Sequence, residues 1–205
     1  MNNKWNKIIY KLWSKIYDIF FNSGAFLKAR KKVFQDYPFK KGQKVLFVGV
    51  GTGADLELIN LNDLEITGID LSKDMLEQAK KKFSKTVILK EMDAMNLDFS
   101  DETFDVIVSS LIVSVVPDPV KAIKEMNRVL KSDGEIVIFD KFSESHKTSL
   151  LKKVARNIVR FLGTDIGLDF SDVLKKSDGN LAIIDNQPVM FKGLYRKIIL
   201  KRSVV

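Results

Sequence analysis

The 205-residue sequence has no cysteine, a single histidine and only four prolines. The missing thiols exclude disulfides, thiolate metal sites and cysteine nucleophiles, and they fit a reducing compartment. His146 alone leaves little for a metal site or a Ser-His-Asp relay. Long apolar runs are also missing: none reaches the roughly 18–20 uncharged residues that span a bilayer. Lys4, Lys7, Lys11 and Lys15 interrupt the first 30 residues, where a signal peptide has a charge-free core. The expectation is an intracellular, non-spanning protein without a metal.

What is present is the composition of a globular protein, 45% hydrophobic and 29% charged. The length suits one buried core, expected over residues 41–205, with residues 1–40 as an N-terminal helical extension or lid and 147–175 as a helical lid insertion. A net charge of +8 favours acidic partners such as phospholipid headgroups, nucleic acid or anionic small molecules. The lysines crowd into residues 1–45 and 147–160, the two places expected to cover a central site.

From residue 44 onward short apolar runs alternate with amphipathic ones, the pattern of a parallel sheet covered by helices. Strands are predicted over 45–48, 65–69, 86–90, 106–109 and 136–139, with helices near 55–61, 73–83 and 119–130. Ser132-Asp133-Gly134 is expected to stop the last of these and turn the chain into the next strand. A basic amphipathic stretch over 147–162 follows. Two strand-like runs, 181–185 and 194–201, close the chain, and their short connection suits an antiparallel pair.

Gly49-Val50-Gly51-Thr52-Gly53 lies where the first strand turns into the following segment. Such a turn needs glycine for its backbone angles and for close approach of a ligand to the main chain. By itself it is ambiguous, because Gly49-x-Gly51-x-x-Ala54 also satisfies a dinucleotide fingerprint and many glycine turns are only turns. Asp70 closes the next strand about 20 residues later, where a carboxylate can accept both hydroxyls of an adenosine ribose. Its alternative role is a cap for the next helix, although Ser72 is the better N-cap.

These residues, Val45 through Gly53 with Gly68-Ile69-Asp70-Leu71-Ser72, resemble motif I and the following acidic motif of class I S-adenosylmethionine-dependent methyltransferases. Met92-Asp93-Ala94 resembles the adenine-holding segment of that family. Phe104-Asp105-Val106-Ile107-Val108-Ser109-Ser110 resembles its fourth strand, and Arg128-Val129-Leu130-Lys131-Ser132-Asp133-Gly134 resembles the turn before its fifth. The resemblance implies an α/β, Rossmann-like, seven-stranded, mostly parallel sheet with helices on both faces and an antiparallel last strand. It implies S-adenosyl-L-methionine as cofactor, held by Gly49, Val50, Gly51, Thr52, Gly53, Asp70, Leu71, Met75, Asp93, Ala94, Ser110 and Leu111. One departure is plain. The family usually has Asp or Glu where Phe47 stands, a carboxylate that helps place the amino-acid end of the cofactor.

The chemistry so implied is attack of a nucleophile on a sulfonium methyl group, for which alignment and exclusion of water supply much of the acceleration. A dedicated base is not obligatory. Tyr17, in a Tyr17-Asp18 pair like one that closes over the cofactor in related enzymes, is the candidate catalytic residue; its alternative role is to pack a helix on the core. On a helical projection Lys4, Lys7, Lys11 and Lys15 share one arc beside a broad apolar one containing Trp5, Ile8, Leu12 and Ile16. That is the pattern of a helix in an anionic membrane interface, or of an amphipathic helix packed on the domain. Arg156 and Arg160, one helical turn apart, can hold a phosphate or form a solvated face.

Phe139-Asp140-Lys141-Phe142, Gly163-Thr164-Asp165-Ile166 and Gly193-Leu194-Tyr195-Arg196 extend the resemblance to bacterial phosphatidylethanolamine N-methyltransferases and to quinone C-methyltransferases. A small or lipid-like acceptor, a phospholipid amine at the membrane surface, is the substrate class implied. The competing readings are an RNA methyltransferase and a non-catalytic cofactor- or membrane-binding module. Ser109-Ser110-Leu111-Ile112 stands where a base-methylating enzyme has an Asn-Pro-Pro-Tyr-type motif, which counts against nucleic acid.

Overall fold

A computed structural model describes residues 23–143, 168–177 and 180–202. In chain order these form α1 (Gly24–Phe34), β1 (Lys44–Val48), β2 (Glu65–Asp70), α2 (Lys73–Phe83), β3 (Val87–Glu91) and β4 (Phe104–Ser110). Then come α3 (Pro119–Val129), β5 (Leu130–Lys141), α4 (Phe170–Lys176), β6 (Leu181–Met190) and β7 (Tyr195–Arg202). The seven strands make one sheet in the order β3-β2-β1-β4-β5-β7-β6. Strands β1 to β5 run parallel, and β7 is antiparallel to both its neighbours. The expected fold is therefore the observed one.

Successive side chains of a strand face opposite sides of the sheet, and in β1 all four of Val45, Leu46, Phe47 and Val48 are buried. Both faces must then be covered. Val45 and Phe47 join the apolar cluster containing Phe26, Val33 and Phe34 of α1 and Leu76 of α2. Leu46 and Val48 join the cluster containing Ala122, Ile123, Met126 and Val129 of α3 and Phe170 and Val173 of α4. Helix α1 runs antiparallel to the parallel strands. Its Phe26 ring meets Tyr195, opposite the carboxyl end of β5, at 5.2 Å, and past its far end the Tyr37 hydroxyl donates to Glu135, at the amino side of β5, at 2.8 Å.

Helix starts follow the sequence. The Ser72 hydroxyl accepts the Met75 N–H, and α3 opens with Pro119 behind Asp118, whose carboxylate accepts the Lys121 N–H at 2.9 Å. Arg128, near the end of α3, donates to the Leu97 and Phe99 carbonyls at 2.7 and 2.8 Å, fastening the segment that follows β3.

Three expectations change. The helix predicted over 55–61 is a single 3-10 turn, Leu56–Leu58, with Ile59 already extended. The Asn60 side chain accepts the Asn62 N–H at 3.1 Å, a local bond that competes with helix, and Asp63 adopts a positive φ of 68°. Ser132-Asp133-Gly134 does not stop α3, which ends at Val129. The backbone is extended from Leu130, and the β4–β5 pairing jumps from Phe104↔Leu130 to Val106↔Glu135. Gly134 sits where a Cβ would lie 2.8 Å from the Asp105 carbonyl oxygen. Strand β6 is longer than predicted, running from Leu181 to Met190 through Pro188, which an edge strand tolerates because its outer side needs no N–H partner.

Candidate active site

The strand order reverses at β1, flanked by β2 and β4, so a crevice opens at the carboxyl ends of these strands. The glycine turn lines it. Gly49, Gly51 and Gly53 have φ of 74°, 56° and 82°, in the left-handed region that favours glycine. Two of them are also closely packed. A Cβ on Gly49 would lie 2.0 Å from Ile112 Cδ1, and one on Gly53 would lie 2.5 Å from the Phe83 ring. A Cβ on Gly51 would meet no atom of the described residues within 4 Å, so among them its main chain borders open space that a ligand can approach.

Asp70 joins this turn to the end of β2. Its carboxylate accepts the Gly51 N–H at 2.9 Å and the Ser72 N–H at 2.8 Å. Burial pushes the Asp70 carboxyl above its ordinary range, while the amides of Ser72, Gly51 and Leu71 pull it back. A carboxylate has about four acceptor sites, so these amides leave capacity for a ligand hydroxyl. The Asp70 carbonyl accepts the Met92 N–H at 3.0 Å, which brings the end of β3 alongside. There the Asp93 carboxylate accepts the Met95 N–H at 2.9 Å, and Ala94 is half-buried.

The other predicted cofactor residues divide by exposure. Val50 and Thr52 in the turn, and Met75 in α2, are buried; Val50 packs close to Gly68, so it offers main chain to the crevice. Leu71 and Leu111 are half-buried, and Ser110 is buried at the end of β4. Leu111 takes a left-handed φ of 57° and donates its N–H to the Phe139 carbonyl at 2.8 Å. Tyr17, Lys4, Lys7, Lys11, Lys15, Arg156 and Arg160 lie outside the described residues.

Sequence reasoning did not assign a second polar cluster at this edge. Asp140 is fully buried near the carboxyl end of β5. Its carboxylate accepts the Ser114 hydroxyl at 2.6 Å, the Ser114 N–H at 2.9 Å and the Lys141 N–H at 2.7 Å. The loop after β4, which carries Ile112 onto Gly49, is thereby tied to β5. Burial raises the Asp140 carboxyl, with Lys141 and the Ser114 bonds opposing. The Tyr195 phenol is pushed up to about 12 by burial and by Asp140. The signal available in the sequence was a charged pair, Asp140-Lys141, directly after the apolar run 136–139 of β5.

Phe47 is 2% exposed inside the α1-facing cluster, so no carboxylate stands at that point of β1. A buried ion pair occurs just beyond the glycine turn, where Arg30 Nε of α1 donates to Asp55 at 2.6 Å. Among the described residues no group of three or more His, Cys, Asp or Glu side chains could hold a metal ion.

The open main chain at Gly51, the acceptor capacity of Asp70 beside it and the neighbouring Asp93 fit a nucleoside-bearing ligand with ribose hydroxyls and an exocyclic amine. Comparison with known proteins agrees in kind. Residues 46–138 match the family model described as a methyltransferase domain. The chain is 35% identical over 200 residues to a phosphatidylethanolamine N-methyltransferase of Cereibacter sphaeroides, covering 94% of this chain and 95% of that one. It is 38% identical over 151 residues to a demethylmenaquinone methyltransferase of Staphylococcus aureus, covering 68% of this chain and 63% of the relative. A SAM-dependent methyltransferase of Thermotoga maritima superposes with a TM-score of 0.71 at 20% identity, over 95% of this chain and 99% of that one.

Proposed function

The chain belongs to the class I S-adenosylmethionine-dependent methyltransferases, and from that premise we propose that its methyl acceptor is a phospholipid amine at a membrane surface. The observation that carries this reading is the near full-length relationship to a phosphatidylethanolamine N-methyltransferase. A small or lipid-like acceptor is the coarser form of the same reading.

When bound, S-adenosylmethionine supplies an electrophilic methyl group on sulfonium sulfur. In our reading the main chain of Gly49, Val50, Gly51, Thr52 and Gly53 takes its amino-acid end, Asp70 with Leu71 takes the ribose, and Asp93 with Ala94 takes the adenine amine. Met75, Ser110 and Leu111 complete the wall. Phe47 offers no charge to the amino-acid end, so that contact falls to backbone amides. Tyr17 is the residue we assign to the acceptor side, and the 1–40 and 147–175 segments to the covering of domain 41–205. Lys4, Lys7, Lys11, Lys15, Arg156 and Arg160 are assigned to headgroup phosphates, which would hold the protein peripherally on the cytoplasmic face.

A quinone carbon acceptor is the second reading, favoured by the 38% identity to the demethylmenaquinone enzyme. Tritiated methyl transfer separates the two. Label in phosphatidylethanolamine supports the proposal, whereas label only in demethylmenaquinone, or only in RNA, overturns it.

A further inference from the structure

We propose that the turn between β6 and β7 is a bilayer anchor, in which Phe191 enters the apolar layer of an anionic membrane while Lys192 and Lys28 meet headgroup phosphates. The inference rests on the phospholipid reading and gives the surface by which the crevice meets its lipid.

The turn is at the correct edge. Tyr195 pairs with both Lys141 and Met190, so the residues between Met190 and Tyr195 lie at the carboxyl end of β5. The Leu194 carbonyl accepts the Phe142 N–H at 2.9 Å, which fixes the turn to the chain leaving β5. This is the edge where the glycine turn and Asp70 open. Helix α1 starts here too, because its Phe26 ring stands 6.0 Å from Phe191.

The turn holds an apolar ring out of the core against two opposing preferences. Phe191 is 57% exposed, and Phe191, Lys192 and Gly193 have consecutive positive φ values of 49°, 53° and 93°. Glycine takes such angles freely; phenylalanine and lysine are disfavoured there by contact between Cβ and backbone. A single exposed apolar side chain needs no explanation. One held in this backbone, with its ring set edge-on against the rings of Phe26 and Tyr195 at centroid distances of 6.0 and 5.9 Å, is fixed on its inner side and open to solvent on its outer side.

Its neighbours suit an anionic bilayer. Lys192 is exposed in the turn, and Lys28 is exposed in the first turns of α1 beside half-buried Leu27 and exposed Ala25. An aromatic tip with one adjacent lysine, and a further exposed lysine on the helix that starts at the same edge, combines partition into the acyl boundary with attraction to negative headgroups. The outer edge of β6 does not invite a second sheet, since Pro188 and two register shifts disturb it.

The test uses the full chain and vesicles of phosphatidylglycerol with phosphatidylcholine, which contain no amine acceptor and report the anchor alone. Phe191→Ala should weaken sedimentation with them about tenfold to a hundredfold, the range for burying one phenylalanine side chain. Lys192→Glu should weaken it and flatten its salt dependence. Ile184→Ala removes an equally exposed side chain of β6 away from this edge, 53% exposed, and should change nothing. Turnover of short-chain phosphatidylethanolamine dispersed as monomers should survive Phe191→Ala. Wild-type sedimentation of Phe191→Ala overturns the anchor. So does a loss of turnover on the monomer with vesicle binding intact, which would make Phe191 a wall of the acceptor site. If Phe191→Ala loses vesicle binding but the wild-type protein methylates no phosphatidylethanolamine, the anchor stands and the phospholipid reading falls.

Discussion

Ile112 packs directly on the first glycine of the cofactor turn: a Cβ built on Gly49 would lie 2.0 Å from its Cδ1. Gly49→Ala therefore combines a steric clash with a left-handed backbone, which alone costs about 1–2 kcal/mol. In an Ile112→Ala background the clash is gone and the backbone penalty remains. The two substitutions should couple by about 1 kcal/mol or more in a double-mutant cycle of urea unfolding. Additive effects would show that the contact carries no energy.

Asp140 and Ser114 should behave as one unit. Asp140→Ala leaves two amide N–H groups and a hydroxyl without their acceptor in a buried place, and should lower stability by about 3 kcal/mol or more. Ser114→Ala removes one hydroxyl and should cost about 1–2 kcal/mol. Because the pair ties the loop carrying Ile112, Asp140→Ala protein that remains folded should also turn over more slowly. Wild-type turnover by that variant would detach this pair from the site.

Alkaline pH tests the surroundings of Tyr195. Its folded-state pKa is raised from 10.0 to about 12, so the folded protein keeps a proton that the unfolded chain begins to release near 10. The stability from this group is full below pH 10 and disappears as pH rises through 12. Stability measured by denaturant at pH 9, 10 and 11 should fall less steeply in Tyr195→Phe than in the wild type. Parallel declines would mean that Tyr195 ionises as freely folded as unfolded.

Phe47 separates this chain from the usual family pattern, and its packing predicts the result of restoring an acid. Phe47→Asp buries a carboxylate among α1 side chains and should cost about 3 kcal/mol or more, whereas Phe47→Leu should cost less than about 2 kcal/mol. A Phe47→Asp protein of wild-type stability and tenfold greater cofactor affinity would contradict this view of the position.

The parts of the fold legible in the sequence were those encoded by neighbours. The apolar run of β1, the glycine turn, Asp70 at the end of β2 and the Ser72 cap each lie within a few residues of what they determine. Reading failed where local and distant preferences compete. Leucines and isoleucine between Leu56 and Leu61 look helical, but the Asn60 to Asn62 turn prevails. Contacts between distant segments had no periodic signal: Ile112 on Gly49, Asp140 on Ser114 and Arg30 on Asp55 depend on which strand ends the sheet order brings together. Phe191 was invisible for a related reason, since its exposure follows from a turn geometry that the sequence Phe191-Lys192-Gly193 only permits.

The most direct test of the whole account is calorimetric titration of S-adenosylmethionine, or its demethylated product, into the wild-type protein and Asp70→Ala. The wild type should bind saturably at 1:1, and Asp70→Ala should lose about 2–3 kcal/mol, because it removes a half-buried carboxylate that serves the Gly51 and Ser72 amides and the ribose hydroxyls. Equal affinity in both proteins, or no heat from the wild type at millimolar ligand, would contradict it.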